Sequence, residues 1–197
     1  MTYRKYLWEK IVEFQQDQSL INYPINLYEL CKQNEWQLIT YDQNSPLVDI
    51  SNDGFSVYRD NEYYIFYNAS IHENRIRFTL AHEIGHIVLN HHVEFNCEII
   101  LDNSVGSYIE DEANIFARNL LIPNQLVSEI EYKSVKILAS YFKVSEVAMA
   151  TRLNTLQIDN RFLKYDKTKP LEYCYNDFHT IFECYQMAFN RMHGVRY

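Results

Sequence analysis

His82, Glu83 and His86 form His-Glu-x-x-His within the run Phe78-Thr79-Leu80-Ala81-His82-Glu83-Ile84-Gly85-His86-Ile87-Val88-Leu89. The run reads as a helix, because Ala81, Ile84, Gly85 and Val88 recur at the i, i+3, i+4, i+7 spacing of one apolar stripe. His82 and His86 are four apart, so both imidazoles project from one flank of that stripe, one turn above the other. Two neutral imidazoles so placed close on one Zn²⁺ at about 2.0–2.1 Å without bending the helix. Glu83 lies beside them, positioned to take a proton from water that such an ion acidifies to a pKa of ~7. A lone histidine pair on a helix is more often surface decoration than a metal site. Here the pair flanks an apolar face in mid-chain, where polar groups need a partner. Gly85 costs the helix roughly 1 kcal/mol against Ala, and close approach of a neighbouring backbone would offset that cost.

A third ligand is expected from a second strong helix, Tyr108 to Leu121, stopped by Pro123. Its apolar stripe is Ile109, Ala113, Phe116, Ala117 and Leu120. Glu110, Asp111 and Glu112 crowd its first turn, where the helix dipole by itself favours acids. At about 100° per residue, Glu110 falls nearest the stripe, Glu112 toward the opposite flank, and Asp111 outward. Glu110 is therefore read as the third ligand, with Glu112 as the alternative. Asn114, one turn beyond Glu110, is read as a group that holds an imidazole from behind. His92, ten residues beyond His82, has the third-ligand spacing of another zinc-site pattern. That pattern needs glycine where this chain has Leu89. The helix is expected to run on, carrying His92 about 15 Å along the axis from His82. His91 and His92 are then read as a pair on the helix dipole.

The elements that must position these groups can be read in order. Tyr3 to about Gln16 forms an amphipathic packing helix, and Asn26 caps a second helix from Leu27 to about Asn34. Gln37 to Tyr41 reads as a strand, followed by a turn from Asp42 to Pro46. Phe55–Tyr58 and Tyr63–Tyr67 form a hairpin around the polar turn Arg59-Asp60-Asn61-Glu62. Its second strand leads into the motif helix near Glu73 and is read as an edge that an extended peptide could join. Cys97 to Leu101 has strand-like content.

Composition narrows the function. At 197 residues, 47% hydrophobic and 15% aromatic, the chain is large and apolar enough to bury a core. A net charge of −8 argues against a general nucleic-acid binder. No signal-peptide-like segment and no run near ~20 apolar residues is present, so no membrane role is expected and the reading is cytoplasmic. Cys31, Cys97, Cys174 and Cys184 are scattered and read as reduced residues, not as a disulfide frame or second metal site.

His82-Glu83-Ile84-Gly85-His86, followed by Glu110-Asp111-Glu112-Ala113-Asn114-Ile115-Phe116-Ala117 and Leu120-Leu121-Ile122-Pro123, resembles the ImmA/IrrE family of metallopeptidases. Arg77 to Ala81 and Tyr67-Asn68 share in that resemblance, which covers roughly residues 24 to 157. Leu-Leu-Ile-Pro stands where the family has Leu-Leu-Met-Pro, a conservative change. The resemblance implies a gluzincin-like site, with two His and a Glu on zinc, and maps the last ligand onto Glu110 and a following small residue–Asn pair onto Ala113-Asn114. It further implies cleavage of a helix-turn-helix repressor of a mobile element or stress regulon. The alternative is a non-proteolytic metal-binding regulator that acts by binding a repressor or DNA. A His₂Glu site also accepts Mn²⁺ or another divalent ion. The oxyanion stabiliser is unassigned, with the tyrosines, His179 and His193 as candidates.

Beyond Pro123, Val135–Phe142 and Ser145–Leu156 read as two helices resembling a helix-turn-helix pair. In a DNA-contact reading Lys133, Lys136, Lys143 and Arg152 would meet phosphates. The acidic balance favours instead a helical lobe, 125–157, completing the peptidase domain. The expected architecture is α+β: a zincin-like core over residues 1–157, with a small sheet and hairpin and a helical carboxy-terminal half. Residues 158–197 form an extension, with a helix from about Asn176 to Met192.

Overall fold

Helix α3, Glu73–Val88, lies between a small sheet and a second helix, α5, Ser107–Leu121. A computed structural model describes residues 3–20, 22–100, 107–128 and 134–163. Because α3 is covered on several sides, it buries polar as well as apolar positions: Glu83 and His86 along with Ile76, Leu80, Ala81, Ile84 and Ile87. Each large apolar side chain removed from water there contributes about 1.5–3 kcal/mol.

Gly85 is where α3 and α5 meet. A Cβ on it would lie 3.2 Å from Ala113 Cα and 3.2 Å from the Phe116 side chain. The expected stripe of α5, from Ile109 to Leu120, is buried against this seam. Gly85→Val is expected to force the two helices apart at a cost of about 1–3 kcal/mol. Thermal midpoint and metal affinity should then fall together, since the seam also carries the residues described below.

Helix α1, Tyr3–Asp17, packs across α5, and α2, Leu27–Gln33, begins at Asn26, whose side chain accepts from the Tyr28 and Glu29 amides at 3.1 and 3.2 Å. The sheet contains β1, Gln37–Tyr41, β2, Gly54–Arg59, and β3, Glu62–Asn68, in the order β1-β3-β2. Strands β2 and β3 form the expected hairpin, tightened to a two-residue turn in which Asp60 and Asn61 both take positive φ.

The order of the strands corrects one expectation. Strand β3 is central, paired in parallel with β1 and antiparallel with β2, and offers no edge. The edge nearer α3 belongs to β2, whose Val57 bridges to Ile99 while the Tyr58 amide donates to Glu98 O at 2.8 Å. That bridge is what the structure describes of the strand expected at Cys97–Leu101. Strand β2 comes very close to α3: a Cβ on Gly54 would lie 2.5 Å from Thr79 Cγ2. The approach brings the next residue on that face, Ser56, against Glu83.

A second correction concerns the end of α3. The helix does not run on past Leu89; it stops at Val88, and Asn90 takes a left-handed conformation with φ 63° and ψ 28°. Asparagine tolerates this better than any residue but glycine. The reversal opens a short helix α4, His91–Glu94, that folds His91 and His92 inward, each 1% exposed. They are buried partners of the site and not solvent-facing groups on a helix dipole.

Helix α6, Asn124–Ser128, then α7, Val135–Phe142, and α8, Glu146–Leu163, form the helical half. Arg152 is 0% exposed, with Nε donating to Ile122 O at 2.8 Å and its guanidinium bonded to Asn119 Oδ1. It ties α8 to α5 and cannot meet a phosphate, which removes one of the four cations of the DNA reading; Lys133 lies outside the described residues. Cys31 and Cys97 are free thiols. Cys174, Cys184, His179, His193 and the tail helix expected from Asn176 lie outside the described residues. No described helix is long and apolar enough to cross a membrane.

Candidate metal centre

The motif histidines meet the first turn of α5 as the helical phase suggests. His82 Nε2 lies 3.1 Å from Glu110 Oε2, His86 Nε2 lies 3.6 Å from Glu110 Oε1, and the two Nε2 atoms are 3.0 Å apart. One donor atom from each residue falls within 4.8 Å of the others, and no other such cluster occurs among the described residues. Three lone-pair-bearing groups at these distances compete for too few protons to satisfy one another. A single divalent cation satisfies all three, so the donor set fits a metal ion.

Electrostatics follow from that crowding. Burial opposes charge on His82, but hydrogen bonding to Glu110 and the charges of Glu83 and Glu110 outweigh it and raise its pKa above the ordinary 6.5. Burial dominates at His86 and pushes its pKa down to about 4. Burial also works against ionisation of Glu110, yet the bonds from His82 and His86 prevail and hold it at about 2. The centre thus has a fixed carboxylate and, in His86, an imidazole that is neutral at neutral pH.

Behind the three donors stand further polar groups. Asn114 Oδ1 accepts from His82 Nδ1 at 3.1 Å. Glu112, the alternative ligand, is directed away from the cluster and accepts from His91 Nε2 at 3.0 Å. His91 Nδ1 in turn lies 2.8 Å from His86 Nδ1. Glu83 is 5% exposed, and Ser56 Oγ donates to its Oε2 at 2.7 Å. His92 Nε2 sits 3.0 Å from the same hydroxyl, while its Nδ1 donates to Cys97 O at 3.2 Å. Burial lowers the His92 pKa from its ordinary 6.5.

Sequence reading missed Ser56, His91 and His92 as parts of the centre. Ser56 carries no signal, being one polar residue inside an apolar strand. The histidines did carry one: four of the chain's seven fall between His82 and His92. Asn90, a residue tolerant of left-handed backbone, stands just before the doublet.

His82, Glu83, His86, Glu110 and Asn114 line a cleft of about 940 Å³, with the loop from Val48 to Gly54 on the opposite wall. Its described lining contains no tyrosine; Arg75, paired with Asp53 at 2.8 Å, is a cation on its rim. A more apolar groove of about 750 Å³, floored by Leu121, Ile122 and Val144, shares Arg75, Phe78 and Asn114 with it.

The family model for the IrrE N-terminal-like domain, Peptidase_M78, matches residues 41–154. The match takes in both sheet strands of the hairpin, the motif helix, α5 and most of the helical half, and starts later than the resemblance beginning near residue 24. No curated protein sequence matches the chain.

Proposed function

The chain belongs to the Peptidase_M78 (IrrE N-terminal-like) family, and on that premise we propose that it is a zinc-dependent endopeptidase with a gluzincin-like site. The observation that carries this reading is the convergence of His82, His86 and Glu110 beside a buried, anchored Glu83 in an open cleft. His82, His86 and Glu110 hold the ion, Asn114 fixes the His82 ring, and Glu83 is the catalytic base. When bound, the ion supplies Lewis-acid polarisation of the scissile carbonyl and acidifies the attacking water. Glu83 takes that water's proton and returns it to the departing amine. Ser56→Ala should free the carboxylate to rotate and lower kcat about tenfold with KM little changed, the range expected for a hydrogen bond to a charged group. A steady-state comparison on one substrate reads both constants.

Metal uptake requires neutral imidazoles, so protons compete with the ion. His82 has a raised pKa, which means that competition sets in above pH 6.5 as pH falls, not below it. Zinc affinity measured against a chelator should therefore weaken steadily on acidification from about pH 8 to about pH 6. An unchanged affinity across that range would remove His82 from the ligand set.

The substrate that suits this reading is a DNA-binding repressor, following the ImmA/IrrE resemblance of the motif residues. A chain of net charge −8 is also electrostatically suited to a basic DNA-binding protein. Mixed with repressors encoded beside its gene, the zinc-loaded chain should yield two fragments whose masses sum to the repressor plus one water. An intact repressor held in a stable complex would favour the anti-repressor alternative.

A further inference from the structure

The contacts behind His86 form a directed chain, and their direction follows from which end can only accept. Glu112 Oε2 is a carboxylate oxygen 3.0 Å from His91 Nε2, so His91 carries its proton on Nε2 and donates. Its Nδ1 then bears a lone pair, 2.8 Å from His86 Nδ1. With a single proton on His91, that distance requires one proton between the two nitrogens, and His86 supplies it. With the proton on Nδ1, His86 presents a lone pair at Nε2, toward Glu110 and His82. The opposite assignment would set a lone pair of His91 against the Glu112 carboxylate at 1% and 8% exposure, where unpaired acceptors are costly.

We infer that His91 and Glu112 are positioning residues that fix His86 in the tautomer required of a metal ligand. The inference rests on the metal reading given above. Helix α5 thereby serves both histidines: Glu110 as a donor to the ion, Asn114 behind His82 directly, and Glu112 behind His86 through His91. Glu112 lies two positions from Glu110, about 200° around the helix, so it cannot back the centre from Glu110's own face. The left-handed turn at Asn90 supplies the missing link by folding His91 into the gap. Partners of this kind hold ring orientation and raise ligand basicity, and their loss costs about 10–100-fold in metal affinity.

The test is ¹⁵N NMR of the full chain labelled at histidine, with and without zinc, together with zinc affinity by chelator competition. His91 should show the Nε2–H tautomer and His86 the Nδ1–H tautomer. His91→Phe, which keeps the ring volume but no acceptor, should bind zinc 10–100-fold more weakly, and Glu112→Leu should do the same. His91→Asn, which restores an acceptor near the Nδ1 position, should recover much of the loss; a role in packing alone would show no such recovery. If a variant fails to fold, the tautomers of the wild-type chain still decide. An Nδ1–H or doubly protonated His91, or wild-type affinity in both His91→Phe and Glu112→Leu, would overturn the inference. A wild-type chain that takes up no zinc would defeat the metal reading, while the tautomers of the metal-free chain would still report on the relay.

Discussion

Glu83→Gln should bind zinc as the wild type does and should not cut. The carboxylate is 5% exposed, and its Oε2 accepts from Ser56 at 2.7 Å. Glutamine has nearly the same shape, and its amide oxygen can accept the same hydroxyl, so helix α3 and the neighbouring imidazoles should stay in place. What disappears is a group able to take a proton and give it back. General bases contribute about 10²–10⁴ in rate, and a loss on the order of a thousandfold is expected in single-turnover cleavage. Removing a buried carboxylate also relieves a desolvation cost, so the thermal midpoint should hold or rise. A variant that cuts at the wild-type rate would remove Glu83 from the chemistry altogether. Loss of zinc along with loss of cleavage would instead make Glu83 part of the metal's support.

Glu110→Ala should abolish tight metal binding and, with it, all cleavage. Glu110 brings a fixed negative charge to the two imidazoles, since its carboxyl stays ionised down to about pH 2. It also reaches both histidines, at 3.1 and 3.6 Å. Structural zinc sites bind with about 10–16 kcal/mol spread over four ligands, so one ligand is worth roughly 3 kcal/mol or more, a hundredfold or greater in affinity. The metal-free protein should change in a second way. The Glu110 bond and charge are leading reasons that His82 holds its proton above pH 6.5, so the His82 titration should move down in this variant. A chelator competition and a histidine NMR titration read the two effects separately. Wild-type zinc affinity in Glu110→Ala would return Glu112 to consideration as the third ligand.

What was legible in the sequence was mostly local. The stripe of Ala81, Ile84 and Gly85 announces α3, and the stripe of Ile109 to Leu120 announces α5, because each rests on a 3.6-residue period within one element. The meeting of His82, His86 and Glu110 followed, since two stripes that must face one another also fix which flanking residues converge. Gly85 marked the seam for the same reason. The sheet order was not legible. Pairing of β1 with β3 joins Gln37 to Tyr64 across an intervening strand, and nothing local encodes that choice. Hydrophobic content alone reads β3 as half-open, whereas it is the central strand.

The surroundings of the ligands were hidden for a different reason. Their positions depend on single backbone events and on polar side chains that turn inward because a partner waits there. One left-handed residue, Asn90, decides whether His91 and His92 ride outward on a longer helix or fold under it. Arg152 reads as a surface cation by residue type, yet Ile122 O and Asn119 satisfy it in the interior. Ser56 is likewise explained by Glu83 and His92 and by nothing in its own strand.

The most direct measurement is X-ray absorption at the zinc edge on the zinc-loaded full chain, with and without a small chelating inhibitor. The expected spectrum is a nitrogen and oxygen sphere at about 2.0–2.1 Å containing two imidazoles, altered when the inhibitor takes a position otherwise open to water. Both features should vanish in Glu110→Ala and persist in Glu83→Gln. A sulfur scatterer near 2.3 Å, or a sphere closed by four protein ligands and indifferent to the inhibitor, would contradict a catalytic centre built on His82, His86 and Glu110.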